Sequence, residues 1–456
     1  MLRLACALLI ALLICACTAA PAQEALSSTF AWTTPSTLSD CGGERPQVVF
    51  PSKEPTHASG PGAIVWSAAS GCEGRAGARV AQLTAEDLPR VGEPAGGSYG
   101  KLPELRGPLL AAAAPHGEIA IAGAAASGRE AAAIQGRAGG RFTPLAPASG
   151  FTAPFAATTA WLGDLALAAP AHDGSSAGAL LLHVERYFAH AFVRNEPIDA
   201  AAGSVGALTV ALDYRTDALV AWEHDGGLYA RELPGKYAPQ AIQRIASVGS
   251  HVGVAALASD DYRGILAWSE QRGGQTSVYL DQSAVGVRFG APKLLESFRD
   301  PAGPAPPASA PLLIRLSNES VMLAWPGVVS GRWVVRTAAI DQHGVGPPST
   351  IAAPAGDALL CDLAAGPDGE AFVLWSEPQQ GEGGAPETRR QAIFAARGID
   401  AAPRRTIFGA PEEVAPPGPN SEAAVAIDPA SDRALVVWRS GGGALQYALR
   451  DAARAR

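Results

Sequence analysis

The most regular feature of the chain is a short apolar run that follows a polar turn and ends in tryptophan. Its clearest form is Asp368-Gly369-Glu370-Ala371-Phe372-Val373-Leu374-Trp375. Related runs end at Trp66, Trp222, Trp268, Trp325 and Trp438, and two weaker ones without tryptophan lie at 117–123 and 163–169. That makes eight units at a loose spacing of roughly 50 residues, the range in which propeller repeats fall. An apolar segment precedes the run in many units, as at 208–212, 254–257 and 423–427, and another follows it, as at 277–280, 333–336 and 392–395. A fourth edge is marked by 289–295 and 408–414.

Four short strands per unit is the strand count of a propeller blade. Inner strands covered on both faces by neighbouring blades should read as continuous apolar runs, and these do. The expected fold is therefore an all-β propeller of four-stranded antiparallel blades, with seven or eight blades from the eight units counted. Each tryptophan can bury roughly 200 Å², an upper bound of about 5 kcal/mol, so the repeated residue is assigned to packing between blades. The last unit stops at 445–449 without an outer strand, and the isolated stretch 29–32 around Phe30 has no partner nearby. The two ends are expected to close the ring together. The proline-rich stretch 301–311 is a connection between units, because the repeat resumes directly after it.

Composition narrows the reading further. Among 456 residues, 51 glycines and 37 prolines favour turns over long helices, and 48% hydrophobic content supports a folded core. A net charge of -8 without charge blocks argues against nucleic acid or a polybasic membrane patch. Arg3, the apolar run 4–14 and Ala20-Pro21-Ala22 read as a signal peptide over 1–22. Ile14-Cys15-Ala16-Cys17 resembles a lipobox, which would make Cys17 the lipidated residue. Both readings place the protein outside the cytoplasm, secreted or lipid-anchored, with no membrane span in the mature chain. The domain is expected over 28–450, followed by a charged tail at 451–456. In an oxidising compartment Cys41 and Cys72 can bridge, stabilising by roughly 3 to 4 kcal/mol, or both can stay reduced. Cys361 reads as a small buried apolar residue.

Over nearly all of its mature length the chain resembles the broad class of secreted bacterial β-propeller repeat proteins, a resemblance that implies fold and not activity. The Asp-box of sialidase-like propellers is not matched by Ser259 through Trp268, whose spacing differs, and no Trp-Asp ending of the WD40 kind occurs. Calcium loops, zinc spacings, nucleophile elbows and phosphate loops are absent from the sequence, so no metal or cofactor is expected. His183, Glu185 and His190 read as surface or packing residues. The most polar segments follow the tryptophan runs, on turns that should share one face of the disc. They supply the candidate binding residues Glu223, His224, Asp225, Glu270, Arg272, Arg332, Glu377, Arg389, Arg390 and Arg439, since rigid scaffolds carry their binding groups on loops. The expected function is a non-enzymatic, monomeric protein that presents these loops to a protein or glycan. The alternative is a divergent glycan-active hydrolase or lyase, which needs two carboxylates or an acid–base pair converging at the central channel.

Overall fold

The computed structural model describes residues 31–40, 46–50, 62–68, 77–83, 89–91, 105–113, 118–125, 131–137, 142–144, 154–159, 164–171, 178–185, 192–213, 215–236, 238–246, 250–259, 263–284, 288–301, 310–316, 320–351, 356–366, 369–379, 390–402 and 404–451. Cys17, Cys41, Cys72, Arg389 and Phe30 lie outside the described residues, as do the segments 1–22 and 452–456.

The described strands form eight antiparallel sheets, seven of them with strands in simple chain order. We number them as blades 1 to 8, beginning at Gln47–Val49, Leu105–Ala113, Ala156–Thr159, Val205–Leu212, Ser250–Ser259, Leu312–Arg315, Leu359–Ala365 and Ser421–Ile427. The first strand of each blade packs against the first strand of the next, and that of blade 8 meets that of blade 1. The ring is thus closed and the blade number is eight. In blades 6 and 7 the outer edge is shared by two segments along different parts of the third strand, Gly344–Val345 with Ser349–Thr350 and Arg405–Phe408 with Glu412–Gly418.

Blade 8 takes its outermost strand from the other end of the chain. Ser36–Ser39 pairs antiparallel with Leu445–Arg450, and the Thr33 amide donates to the Leu449 carbonyl at 2.8 Å. Leu38 is buried with Ile64, Trp66 and Leu435, sealing blade 8 against blade 1. The closing strand therefore lies a few residues after the apolar stretch that marked it in the sequence. Trp32 instead leaves the sheet and packs edge-on against Phe372 of blade 7, with ring centroids 5.8 Å apart. An outer strand has one covered face at most, so a single leucine among polar residues suffices there.

The tryptophans of the second strands behave as the repeat requires. Trp66, Trp222, Trp268, Trp325, Trp375 and Trp438 are at most 2% exposed. In three blades the residue directly opposite on the third strand is aromatic and stacked: Tyr229 on Trp222, Tyr279 on Trp268 and Phe394 on Trp375, at 5.9, 5.4 and 6.0 Å. Blade 6 has Arg336 at that place, and its Nε joins the Trp325 indole N–H in donating to Glu296 of blade 5, at 3.2 and 2.8 Å.

One expectation needs correction. The second strands do not end at tryptophan but continue to His224, Arg272, Val329, Pro378 and Arg439. Glu223, His224, Glu270, Arg272, Glu377 and Arg439 are consequently strand residues rather than turn residues. Burial itself runs one or two residues past the indole, to Ser269, Gly327 and Ser376 in blades 5, 6 and 7, and the hydrogen-bonded ladder continues beyond that point.

Candidate functional site

Because strand 1 starts at the same end of every blade, the hairpins between strands 2 and 3 emerge on one face, together with the connections between blades. Three of these hairpins turn in two residues with positive φ at both: Asp225-Gly226 (47° and 67°), Gly273-Gly274 (59° and 76°) and Ser330-Gly331 (52° and 75°). This is the turn whose twist matches a β-hairpin, so the tips are held firmly. Asp-Gly, Gly-Gly and Ser-Gly between paired strands were a readable signal for it.

The candidate residues lie on this face, but each is organised mainly within its own blade. His224 places Nε2 3.2 Å from the Asp225 carboxylate and Nδ1 3.3 Å from the Ser204 carbonyl. Glu377 accepts from the Trp375 indole at 2.9 Å, and burial pushes its carboxyl above the usual range, an effect that this bond partly offsets. Arg390 donates to the Pro417 carbonyl at 2.9 Å, and Arg439 stands 4.0 Å from Glu422. Arg332 is exposed beside the Ser330-Gly331 turn. Glu270 and Arg272 differ from these, with no hydrogen bond or ion pair to any described residue.

Along the axis, two polar side chains tie neighbouring first strands together. Gln47 of blade 1 accepts the Ala111 amide of blade 2 at 2.6 Å, and Asp362 of blade 7 accepts the Val425 amide of blade 8 at 2.9 Å. Asp362 pairs with Leu374 just past a register shift that leaves Cys361 as the extra residue, and its other oxygen accepts the Leu363 amide. Burial raises its carboxyl to about 6, against the opposing effect of those two amides. The adjacent Cys361 thiol is pushed up to about 11 by burial, which makes it inert rather than nucleophilic. Glu422, on the first strand of blade 8, has a positive φ of 52°. Sequence reasoning did not single out Asp362, although a lone acid in Leu359-Leu360-Cys361-Asp362-Leu363 was a visible irregularity.

The opposite face carries a small cleft, open to solvent, between blades 4 and 5. Its polar lining mostly holds the blades together. Gln243 exchanges two hydrogen bonds with the Phe289 backbone, Arg231 donates to the Pro197, Ile198 and Gln240 carbonyls, and Glu232 accepts from Ser283. His183 is buried against Asn195 on blade 3, and burial lowers its pKa. His183 and Glu185 are both interior residues, where the sequence reading allowed a surface or a packing role.

No protein-family model and no curated protein matches this chain. Among solved structures, a puromycin hydrolase is similar at 16% identity over 74% of this chain and 50% of its own, with a TM-score of 0.42. A prolyl endopeptidase is similar at 13% identity over 88% of this chain and 55% of its own, with a TM-score of 0.48. This chain spans about half the length of either. An ulvan lyase is similar at 10% identity over 91% of this chain and 95% of its own, with a TM-score of 0.47. Likeness at this level carries no activity to this chain.

Proposed function

We propose that this propeller is an exported binding module whose hairpin face presents polar side chains to a protein or glycan. The observation that carries the reading is the construction of that face. Tight positive-φ turns on blades 4, 5 and 6 hold charged residues at fixed positions on a closed ring. Rigid presentation lowers the ordering cost of binding. The leader-like segment 1–22 supports export, and Cys17 supports a lipid tether. The test is a glycan array and a pull-down from conditioned medium with the full mature chain, each repeated with Arg272→Ala and Arg332→Ala variants. Loss of a captured ligand in either variant is expected. A ligand whose capture is unaffected by any hairpin substitution contradicts the reading.

A second reading, a glycan-active hydrolase or lyase, rests on the axis. Asp362 has a raised carboxyl there, and Glu422 lies on the adjacent first strand three residues from Val425, the residue whose amide Asp362 holds. Glycoside hydrolysis uses two carboxyl groups roughly 5 to 9.5 Å apart, and Asp362 with Glu422 is the pair this reading would use. Release of reducing ends or unsaturated sugars from polysaccharides, abolished in Asp362→Asn, would establish it. Intact polysaccharide after prolonged incubation would remove it.

A further inference from the structure

We infer that the side of blade 5 facing blade 4, where it extends past the end of blade 4, is a site for a linear acidic glycan. This deepens the binding reading above and rests on it.

The two blades share a register through Trp222 opposite Tyr229 and Trp268 opposite Tyr279. From that common point blade 4 turns after His224, whereas blade 5 continues through Gln271 and Arg272 before turning. Two extra residues on each strand amount to roughly 7 Å of additional height. The chemistry of that extra height follows from the pairing. Arg272 lies opposite Gln275, and Gln275 lies opposite Arg299, so the three side chains share one side of the sheet across its second, third and fourth strands. One step inward, Glu270, Ser277 and Ser297 form the next row on the same side.

The direction of that side is fixed by its neighbours. Glu296 and Phe298, on the alternate positions, contact Trp325, Arg336 and Trp333 of blade 6. Trp268 and Tyr279, which share the side of Glu270 and Ser277, pack with Leu228 and Ala230 of blade 4. Arg272, Gln275, Ser297 and Arg299 are exposed because the shorter blade 4 does not reach them.

Neither Arg272 nor Arg299 has a hydrogen bond or ion pair to a described residue, in a chain of net charge -8. They stand two strand spacings apart, roughly 10 Å. Between them, Gln275 donates to Ser297 at 2.7 Å and the Ser277 and Ser297 hydroxyls are 2.9 Å apart, a row of fixed neutral hydrogen-bonding groups. Guanidinium groups suit carboxylates or sulfates spaced along a polymer. The unpartnered carboxylate of Glu270 at the base of the row favours a glycan over an acidic peptide, because a sugar chain offers it many hydroxyl donors, whereas a poly-acidic peptide offers only backbone N–H donors against the repulsion of a carboxylate on every residue.

The test is calorimetric titration of the full mature chain with an oligogalacturonate, a neutral dextran oligomer and a poly-glutamate peptide. Oligogalacturonate is expected to bind, dextran to be silent, and poly-glutamate to bind about tenfold more weakly. Arg272→Ala with Arg299→Ala should weaken uronate binding by about a hundredfold, from two lost charge-assisted bonds, with an unchanged melting curve. Glu270→Gln should weaken uronate binding while strengthening that of poly-glutamate. Absence of uronate binding, unchanged binding in the double variant, or equal affinity for poly-glutamate overturns the inference. If uronate does not bind but another ligand is lost on substituting Arg332 or His224, the inference fails while the hairpin face remains the binding face. If uronate binding resists every hairpin variant, both fail.

Discussion

Blade 4 and blade 5 are nearly identical from the axis to the tryptophan and unlike beyond it. In both, a first strand of small and branched residues lies on the channel, the indole is at most 1% exposed, and a tyrosine stacks on it from the third strand. Past that point blade 4 closes at once over His224 and Asp225, while blade 5 raises a wall bearing Arg272, Gln275 and Arg299. The inner part is repeated because each blade must fill the same wedge against its neighbours. The outer part is free to differ on the side towards blade 4, where blade 4 ends two residues earlier and Arg272, Gln275 and Arg299 are exposed. Repetition therefore marks scaffold, and departure from it marks where binding chemistry can be placed.

The largest effects should come from the shared part and be equal in the two blades. Trp222→Ala and Trp268→Ala are each expected to cost about 3 to 5 kcal/mol, measured by denaturant midpoint. A twofold difference between them would break the equivalence of the two blades. The next effect compares the axial ties of blades 1 and 7, which do one job with different groups. The Asp362 carboxyl is raised to about 6 in the fold from 3.8. Its stabilising contribution is thus fully present below the unfolded value and is lost as pH rises through the folded one. Relative to Asp362→Asn, the parent should lose up to about 3 kcal/mol between about pH 4 and about pH 7. Gln47→Ala should instead cost about 1 kcal/mol at both pH values, since its tie carries no titrating group. Paired thermal melts of the two variants against the parent check both. The smallest effect concerns the tips. Ser330 holds a φ of 52° that glycine adopts without strain, so Ser330→Gly should gain about 0.5 kcal/mol, making the turn of blade 6 like that of blade 5.

Much of the scaffold was legible because its determinants are local. The run from Glu370 to Trp375 is one complete second strand up to its buried indole, and its relatives mark the same element in other blades. The closing strand was placed too early because apolar content points to Phe30 and Trp32, whereas the ladder needs backbone partners and one buried side chain, Leu38. The candidate site was legible only as a face. Arg272 stood out as a charged residue beyond a tryptophan run, but Arg299 lies 27 residues later and joins it through two cross-strand pairings that no local pattern displays. Asp362 was missed for the same reason, since its partner amide belongs to the next blade.

The most direct measurement cuts blade 5 down to the height of blade 4. Deleting Gln271, Arg272, Gln275 and Thr276 leaves Glu270 and Ser277 flanking Gly273-Gly274, the arrangement that His224 and Gly227 have around Asp225-Gly226. The shortened protein should stay folded, since the tryptophan layer is intact, melting below the parent only by the loss of the Gln271 and Thr276 bonds to Asp300, and should bind oligogalacturonate at least a hundredfold more weakly by calorimetry. Retention of the parent's affinity in that protein would contradict the account, because it would locate binding on the repeated scaffold instead of on the part that departs from it.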